Sequence, residues 1–320
     1  IKTVRIGTRG SRLALAQTQI VLGALRAAHP GVEFAVVTIT TKGDANRAAP
    51  VAAIGVGVFV KELEAALADR RIDLAVHSAK DMPTVVPEEF TISSVLERED
   101  PRDALVGRDA RGLERLPRGV RVATGSARRK ALLLSVRPDL TVEPIRGNVD
   151  TRLSKLRAEG GPDAIVLAAA GLARLGRLSE ASEVLDPAVF VPAVGQGALA
   201  IETRSDDEAV VRMTLAIQHL PSRQAVEAER AFLLAVGGGC SAPVSAHATV
   251  EGRRVILSAF AADPGGSHVV RHMAEGEAAG AAAVGESAAK ALLEKGGAQI
   301  MGRSPAAMGH ASFEAGGGDD

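Results

Sequence analysis

A single cysteine, Cys240, stands in the segment AVGGGCSAP, behind three glycines, in a chain of 320 residues. Glycine allows backbone conformations that other residues avoid, so a bulky group can approach the thiol in such a turn. No histidine adjoins Cys240, and the signatures of cysteine proteases are absent. The residues alone leave three roles open: a thiol that tethers a group, a nucleophile, and a buried inert side chain.

Six arginines lie at predicted strand-to-helix junctions, next to Thr, Ser, Gly or Asn: Arg9, Arg128, Arg129, Arg146, Arg152 and Arg174. In an open parallel sheet such junctions line the crevice at the carboxyl ends of the strands, where ligands bind. Helix N-termini add further N–H donors for anions. Each arginine taken singly is more simply a solvated residue at a helix end, but together they predict a cleft for a ligand with several carboxylates or phosphates.

Asp81 follows the predicted strand IDLAVHS in the segment HSAKDMP, directly after Lys80. A carboxylate at the mouth of a positively charged cleft can simply balance charge. It can equally stabilise a cation that develops during a reaction. The spacing does not decide between these two roles.

The composition excludes several classes of protein. With 38 basic and 38 acidic residues, no Trp, no Tyr and seven Phe, the chain has neither the charge nor the aromatic side chains of a nucleic-acid binder. One cysteine excludes an internal disulfide and a cysteine cluster for a metal, and His268 and His272 lack a third ligand nearby, so no metal site is predicted. No apolar run has the length of a membrane span and no signal peptide is recognised, so we expect a cytoplasmic protein that does not contact membranes.

Short β-branched runs alternate with helical patterns, which predicts βα units and a largely parallel sheet. The predicted strands are TVRIG, EFAVVTI, IDLAVHS, GVRVAT, DAIVLAA and GALAIET, and the predicted helices are SRLALAQTQIVLGALRAAH with Ser11 as N-cap, VKELEAALADR, ARRKALLLSV, TRLSKLRAEG and GLARLG. Two segments, VRIGTRGSRLAL from Val4 and VRVATGSARRKAL from Val120, repeat one pattern of strand, polar turn and helix. This repeat predicts two similar lobes that face one cleft.

The pattern changes near Pro221. Ser222 is predicted to cap a helix that ends at the three glycines; the strands SAHATV and RVILSAF and an alanine-rich helix follow. These elements predict a small α+β third domain. The last residues, ASFEAGGGDD, predict a flexible tail.

Ten segments, in this order, resemble the porphobilinogen deaminase (hydroxymethylbilane synthase) family over nearly the whole chain: IGTRGSRLALAQ, TTKGD, FVKELE, DLAVHSAKDMP, REDPRDA, GSARRKA, RGNVDTRLSKL, AAAGLARLG, PAVGQGALAIE and ERAFLLAVGGGCSAP. The resemblance implies an α/β fold of two periplasmic-binding-protein-like (transferrin-like) lobes with a small α+β C-terminal domain. We expect the first lobe in residues 1–96 and 196–215, the second in 97–195, the third domain in 216–304 and the tail in 305–320.

The resemblance also implies an activity, a transferase of tetrapyrrole and haem biosynthesis. Such an enzyme deaminates four porphobilinogen molecules and joins them head to tail onto a covalent dipyrromethane cofactor, and then releases hydroxymethylbilane. It implies a cytoplasmic monomer whose cofactor is bound through a thioether to Cys240. Loss of ammonia from porphobilinogen leaves a cationic pyrrole, which suits a stabilising carboxylate at Asp81.

The site residues are carried over motif by motif. The resemblance implies Asp81 as the catalytic residue and, as cofactor-binding residues, Cys240, Lys80, Asp81, Thr124, Ser126, Arg128, Arg129, Arg146 and Gly147. It implies, as substrate-binding residues, Arg9, Ser11, Gln17, Arg146, Arg152, Arg174 and Gln196. Each pyrrole carries an acetate and a propionate, which agrees with the polyanionic ligand that the arginines predict.

Four positions depart from the family pattern. Val56 and Ala53 replace two lysines in a loop that is one residue shorter, Arg12 replaces a common proline, and Ala242 replaces a larger residue. The lost lysines leave open what this loop contributes. They also give some weight to an alternative, a non-catalytic two-lobed carboxylate-binding protein, which has no use for a tethering thiol at Cys240.

Overall fold

The computed structural model describes residues 3–40, 60–237 and 243–301. Its strands are β1 Thr3–Arg9, β2 Glu33–Ile39, β3 Leu74–Ser78, β4 Phe90–Val95, β5 Asp103–Gly107, β6 Arg121–Ala123, β7 Thr141–Glu143, β8 Ala164–Ala168, β9 Glu183–Val184, β10 Leu199–Arg204, β11 Val244–Glu251, β12 Arg254–Ala262 and β13 Val269–Glu277. Its helices are α1 Arg12–Ala28, α2 Lys61–Ala68, α3 Ala127–Val136, α4 Val149–Arg157, α5 Ala169–Arg174, α6 Glu208–Leu215, α7 Leu220–Ala235, α8 Ala281–Leu292 and α9 Ala298–Ile300.

The first lobe is built on a five-stranded sheet in the order β2-β1-β3-β10-β4. β1 pairs with β2 and β3 in parallel, whereas β10 is antiparallel to both of its neighbours. Helix α1 packs Val21 and Leu25 against Val4 and Ile6 of β1 in one buried cluster. Ser11 caps this helix as predicted, since its hydroxyl accepts a hydrogen bond from the Ala14 N–H at 3.2 Å.

The second lobe repeats this design with the order β7-β6-β8-β5-β9. β6 pairs in parallel with β7 and β8, and β5 is the antiparallel strand in fourth position. The units β1–α1 and β6–α3 therefore hold equivalent places in two sheets of one topology. The predicted pair of similar lobes is confirmed, but each sheet is mixed rather than largely parallel.

The third domain is an antiparallel sheet, β11-β12-β13, with α7 and α8 packed on it. Phe260 and Ala262 of β12 instead belong to the hydrophobic cluster of the second lobe, so this domain is joined to that lobe by apolar contact. These three units confirm the predicted fold class. The predicted cap at Ser222 is wrong: α7 begins at Leu220, and the Ser222 hydroxyl accepts a hydrogen bond from the Arg98 N–H at 2.9 Å.

Two segments connect the lobes, one after β4 and one before β10, and they run side by side. The N–H of Glu99 donates to the carbonyl of Gly197 at 3.2 Å, and Leu96 N–H donates to Leu199 at 3.1 Å. A Cβ at Gly197 would lie 2.2 Å from the Glu99 carbonyl oxygen, and its φ is +88°, so only glycine permits this close approach. The hinge between the lobes is therefore a pair of hydrogen-bonded segments rather than a single linker.

Candidate ligand-binding cleft

A buried polar cluster joins the two lobes where their connecting segments meet. Gln196 is 1% exposed. Its side-chain oxygen accepts from Lys80 Nζ of the first lobe and from Arg129 Nη2 of the second, both at 3.3 Å. Its side-chain nitrogen donates to Asp103 Oδ1 at 2.8 Å and to the Pro101 carbonyl at 2.7 Å. One carboxamide thus contacts charged groups of both lobes.

Asp103, at the start of β5, is the shared counter-ion of two arginines of α3 and leaves the trio with a net positive charge. Its carboxylate accepts from Arg128 Nη1 at 2.7 Å and from Arg129 Nη2 at 2.7 Å, and it is fully buried. Burial alone would raise the pKa of this carboxyl, but the two guanidinium charges outweigh it and hold the pKa of Asp103 well below its usual range. Both arginines are also held by backbone carbonyls, at Val191 and Val166.

Lys80 and Asp81 lie in a short 3₁₀ turn, Ala79–Asp81, directly after β3. Burial lowers the pKa of Lys80 to about 8; the charges of Arg129 and Arg128 act in the same direction, and those of Asp81 and Asp103 oppose it. The Asp81 side chain is exposed. The turn therefore presents an exposed carboxylate beside an ammonium whose pKa is lowered but which is charged below about pH 8.

The β6–α3 turn of the second lobe supplies Thr124 and Ser126. The Thr124 hydroxyl accepts from the Ser126 N–H at 3.2 Å, and Ser126 caps α3 by accepting from the Arg129 N–H at 3.4 Å. Both hydroxyls are thus engaged in holding the turn that carries the two buried arginines.

Arg146, Gly147 and Arg152 lie around the start of α4. Gly147 has a φ of +111°, and a Cβ there would lie 2.5 Å from Thr151 Cγ2, so the turn requires glycine. Arg152 Nε donates to the Gly147 carbonyl at 2.8 Å. Burial lowers the pKa of Arg152 to about 10, the charge of Arg129 acts in the same direction, and the charge of Asp81 opposes it. Arg152 of the second lobe therefore lies within electrostatic reach of Asp81 of the first.

The remaining predicted residues do not join the cluster around Gln196. Arg174 donates to the Gly197 carbonyl at 2.6 Å, and its Nε is buried without a hydrogen-bond partner in the described residues. Burial lowers the pKa of Arg174. Arg9 ends β1, Ser11 caps α1, and Gln17 is buried on α1. These three side chains lie along the first lobe's β1–α1 unit.

Arg12, which the resemblance places where proline is common, contacts the other lobe. Its Nη1 lies 3.3 Å from Asp150 Oδ1 of α4, and Arg177 Nη1 lies 2.6 Å from the same oxygen. Arg12 is largely exposed, so this pair contributes little to stability by itself. It nevertheless places one ion pair across the mouth of the cleft.

Glu229 of α7 is a functional candidate that the sequence did not reveal. Its buried carboxylate accepts from Arg98 Nη1 at 2.6 Å and from the Gly195 N–H at 2.7 Å, and His247 Nδ1 lies 3.1 Å away. Burial raises the pKa of Glu229, but Arg98 and His247 outweigh it and lower the pKa to about 2. The third domain is thereby fixed to both segments that connect the lobes.

Several predicted positions lie outside the described residues. They are Cys240, Ala53, Val56, Ala242 and the C-terminal tail. Helix α7 ends at Ala235, five positions before Cys240 in the sequence. Across residues 3–40, 60–237 and 243–301, no group of three or more His, Cys, Asp or Glu side chains is arranged to hold a metal ion. No helix in the same ranges is long and apolar enough to span a membrane.

Comparison with known families decides the assignment. Residues 4–212 match the family described as "Porphobilinogen deaminase, dipyromethane cofactor binding domain", and residues 223–294 match "Porphobilinogen deaminase, C-terminal domain". The chain belongs to the porphobilinogen deaminase family. The predicted family, the transferase class and the place in tetrapyrrole biosynthesis are thereby confirmed.

Full-length relatives agree with this membership. The chain is 49% identical over 301 residues to the porphobilinogen deaminase of Roseiflexus sp. (strain RS-1), which covers 94% of this chain and 99% of that protein. It is 45% identical over 305 residues to that of Deinococcus radiodurans, with 94% and 98% covered.

Two solved structures of other proteins are similar to this chain at a low level. The methionine-binding protein MetQ is 16% identical, with a TM-score of 0.42, and covers 70% of this chain and 95% of its own. An effector-binding domain of a BenM variant is 14% identical, with a TM-score of 0.38, and covers 71% and 95%. Both scores are low, so the fold assignment rests on the sheet orders given above.

Proposed function

We propose that this protein deaminates porphobilinogen and condenses four molecules of it, head to tail, into hydroxymethylbilane. The observation that supports this most is that Lys80 of the first lobe and Arg129 of the second converge on the buried Gln196 side-chain oxygen, with Arg128 beside them on Asp103. Charge-assisted hydrogen bonds to carboxylates are strong, and fixed arginines hold such groups in a defined orientation. A substrate that carries an acetate and a propionate on every ring suits this donor set.

The donor set also fits the dipyrromethane cofactor of the family. Lys80 has three N–H donors, and within the described residues only one is used, toward Gln196. Arg128 and Arg129 likewise keep N–H donors beyond those given to Asp103 and the backbone. We propose that Cys240 forms the thioether and that Lys80, Thr124, Ser126, Arg128, Arg129, Arg146 and Gly147 hold the carboxylates. The bound cofactor supplies the pyrrole on which the product chain is started.

The exposed carboxylate of Asp81 is proposed to act on the reacting pyrrole. Loss of ammonia from the substrate leaves a positive charge that is shared with the pyrrole nitrogen. A fixed carboxylate stabilises such a charge and accepts the proton that leaves when the new bond has formed. Lys80 and Arg152 lie within electrostatic reach of Asp81 and disfavour a cation there, and the Asp81 carboxylate offsets this.

Substrate orientation is assigned to a second set of side chains. We propose that Arg9, Ser11, Gln17, Arg146, Arg152 and Arg174 bind the incoming porphobilinogen, with Gln196 beside them. Arg152 and Arg174 bear buried or half-buried guanidiniums, which bind anions more strongly than solvated ones do. Positioning two rings for attack converts an encounter in solution into a reaction within one complex.

We also propose the domain boundaries that the resemblance implies. The first lobe comprises residues 1–96 and 196–215, the second 97–195 and the third domain 216–304. The return of β10 into the first sheet supports the split of the first lobe. We propose that the protein acts as a cytoplasmic monomer.

Turnover of porphobilinogen by the purified protein tests the proposed activity. We expect consumption of porphobilinogen with release of hydroxymethylbilane, and loss of product in Asp81→Asn protein that still binds porphobilinogen. Binding without any turnover by the unaltered protein would contradict the proposal and would identify a carboxylate-binding protein instead.

A further inference from the structure

The oxygen of the Gln196 side chain lies at the point where cations of both lobes meet. It accepts from Lys80 Nζ and from Arg129 Nη2, each at 3.3 Å. Both distances are long for an N–H···O hydrogen bond, which is usually about 2.9–3.0 Å. These are the two weakest contacts of this carboxamide apart from a 3.4 Å approach to the Arg102 carbonyl.

The nitrogen of the same side chain is held much more tightly. It donates to the Pro101 carbonyl at 2.7 Å and to Asp103 Oδ1 at 2.8 Å. A flipped carboxamide would turn its N–H groups toward two cations and its oxygen toward a carboxylate. The surroundings therefore fix which atom faces Lys80 and Arg129.

We infer that the Gln196 side-chain oxygen occupies the place of a ligand carboxylate, and that Lys80 and Arg129 leave it when such a carboxylate binds. Gln196 is then a positioning residue: it keeps two cations from different lobes aimed at one point and gives up two weak hydrogen bonds to the ligand. The inference rests on the proposed function, because it takes the pyrrole carboxylates as the ligand. It replaces the expectation that Gln196 gains contacts when substrate binds.

The chemistry of the donors and acceptors favours this exchange. A carboxylate is a stronger acceptor than a neutral amide oxygen, and its bonds to Lys and Arg are shorter. The Gln196 side chain stays in place during this exchange, because it keeps its hydrogen bonds to the Pro101 carbonyl and to Asp103. The charged groups around Lys80 are Arg128, Arg129, Asp81 and Asp103, and burial with the arginine charges lowers the pKa of Lys80 to about 8. A hydrogen bond from the ammonium to Gln196 supports its charged form.

Titration of Lys80 in the full-length chain tests the inference without any turnover. The pKa of Lys80 is read from the pH dependence of its acetylation, followed by peptide mass spectrometry, in a Cys240→Ser background that cannot form the thioether. Gln196→Met removes the acceptor and keeps the side-chain length, so we expect the pKa of Lys80 to fall by about half a unit to one unit. Ser245→Ala is the matched control: it removes a buried hydrogen bond to the Pro192 carbonyl in the same connecting segment and should leave the pKa of Lys80 unchanged.

A ligand adds a second readout. The probe is a pyrrole with one acetate and one propionate but no aminomethyl group. We expect the bound probe to raise the pKa of Lys80 to the same final value in the unaltered chain and in Gln196→Met protein. At a pH about two units below the pKa of Lys80, the probe should bind Gln196→Met protein at least as tightly as it binds the unaltered chain.

Either of two results would overturn the inference: an unchanged pKa of Lys80 in folded Gln196→Met protein, or weaker binding of the probe to it. If Gln196→Met does not fold, Gln196→Asn withdraws the oxygen by one methylene and should lower the pKa of Lys80 in the same direction. Failure of the unaltered protein to turn over porphobilinogen would contradict the proposed function. It would not affect the titration of Lys80, which tests the role of Gln196 separately.

Discussion

The two lobes share one sheet order but place their charges differently. In the first lobe, the junction after β1 carries Arg9 and Ser11, and the turn after β3 carries the exposed Asp81. In the second lobe, the equivalent β6–α3 junction carries Arg128 and Arg129, both buried on Asp103. Equivalent backbone geometry thus provides more accessible groups on one side of the cleft and, on the other, a buried arginine pair whose charge is only partly balanced by Asp103. The difference is made by a single carboxylate, Asp103.

The largest expected effect is loss of that carboxylate. Asp103→Asn leaves two buried guanidiniums without their counter-ion, and we expect a loss of about 3–5 kcal/mol in the free energy of unfolding. The matched change in the first lobe is Asp73→Asn. Its main partner Arg5 is 41% exposed, and the buried Arg204, 3.6 Å away, keeps Asp207 as a counter-ion, so a smaller loss is expected there. Urea unfolding of both variants measures the difference. Equal losses would show that burial of the second lobe's ion cluster has no special importance.

The next effect concerns the exposed carboxylate of the first lobe. Asp81→Asn keeps the shape of the side chain and removes its charge, so we expect kcat to fall on the order of 100-fold with a smaller change in KM. Steady-state kinetics with porphobilinogen measure both constants, and the unfolding transition of the variant serves as its control. A kcat close to that of the unaltered protein would contradict the proposed role of Asp81 in the reaction.

The pH dependence of ligand binding distinguishes the lysine of the first lobe from the arginines of the second. Lys80, with a pKa of about 8, is charged below that pH and neutral above it. Binding of the pyrrole dicarboxylate should therefore be strongest below about pH 8 and weaken by up to about tenfold per pH unit above it. Titration calorimetry at several pH values measures this decline, and Lys80→Arg should abolish it. An affinity that does not change across this range would contradict the part assigned to Lys80.

The smallest effect is expected at the mouth of the cleft. Arg12→Pro restores the residue common in the family and removes the contact with Asp150. Since Arg12 is largely exposed, we expect the free energy of unfolding to change by less than about 1 kcal/mol. Hydrogen exchange in the connecting segments should rise slightly if the pair restrains hinge motion, and Arg26→Ala, at the far end of α1, is the control. A large loss of stability would show that this pair is more than a surface contact.

Local features of the fold were predictable because they depend on neighbouring residues. Ser11 caps α1 as predicted, and the repeat of strand, turn and helix located both lobes. The cap assigned to Ser222 was wrong because Pro221 is tolerated in the first turn of a helix, so α7 starts earlier. β4, β5, β7, β9 and β13 were missed. β7 and β9 have only three and two residues, and β4 and β5 are short strands that pair with strands distant in the sequence.

The resemblance located candidate site residues, but their contacts were not predictable. Arg128 and Arg129 were expected to face a ligand, and nothing nearby in the sequence indicates that Asp103 pairs with them. Nothing nearby in the sequence indicates that Glu229 pairs with Arg98 either, since the two residues come from different domains. Long-range ion pairs leave no periodic pattern in a sequence, so the burial of these charges emerges only when the lobes are assembled.

The central claim is that this cationic cleft serves a pyrrole chain tethered at Cys240. The intact mass of the purified, denatured protein tests it most directly, with Cys240→Ser as control. We predict an excess equal to two porphobilinogen units minus two ammonia, absent from the control. An unmodified mass that persists after incubation with porphobilinogen or preformed hydroxymethylbilane would contradict the account.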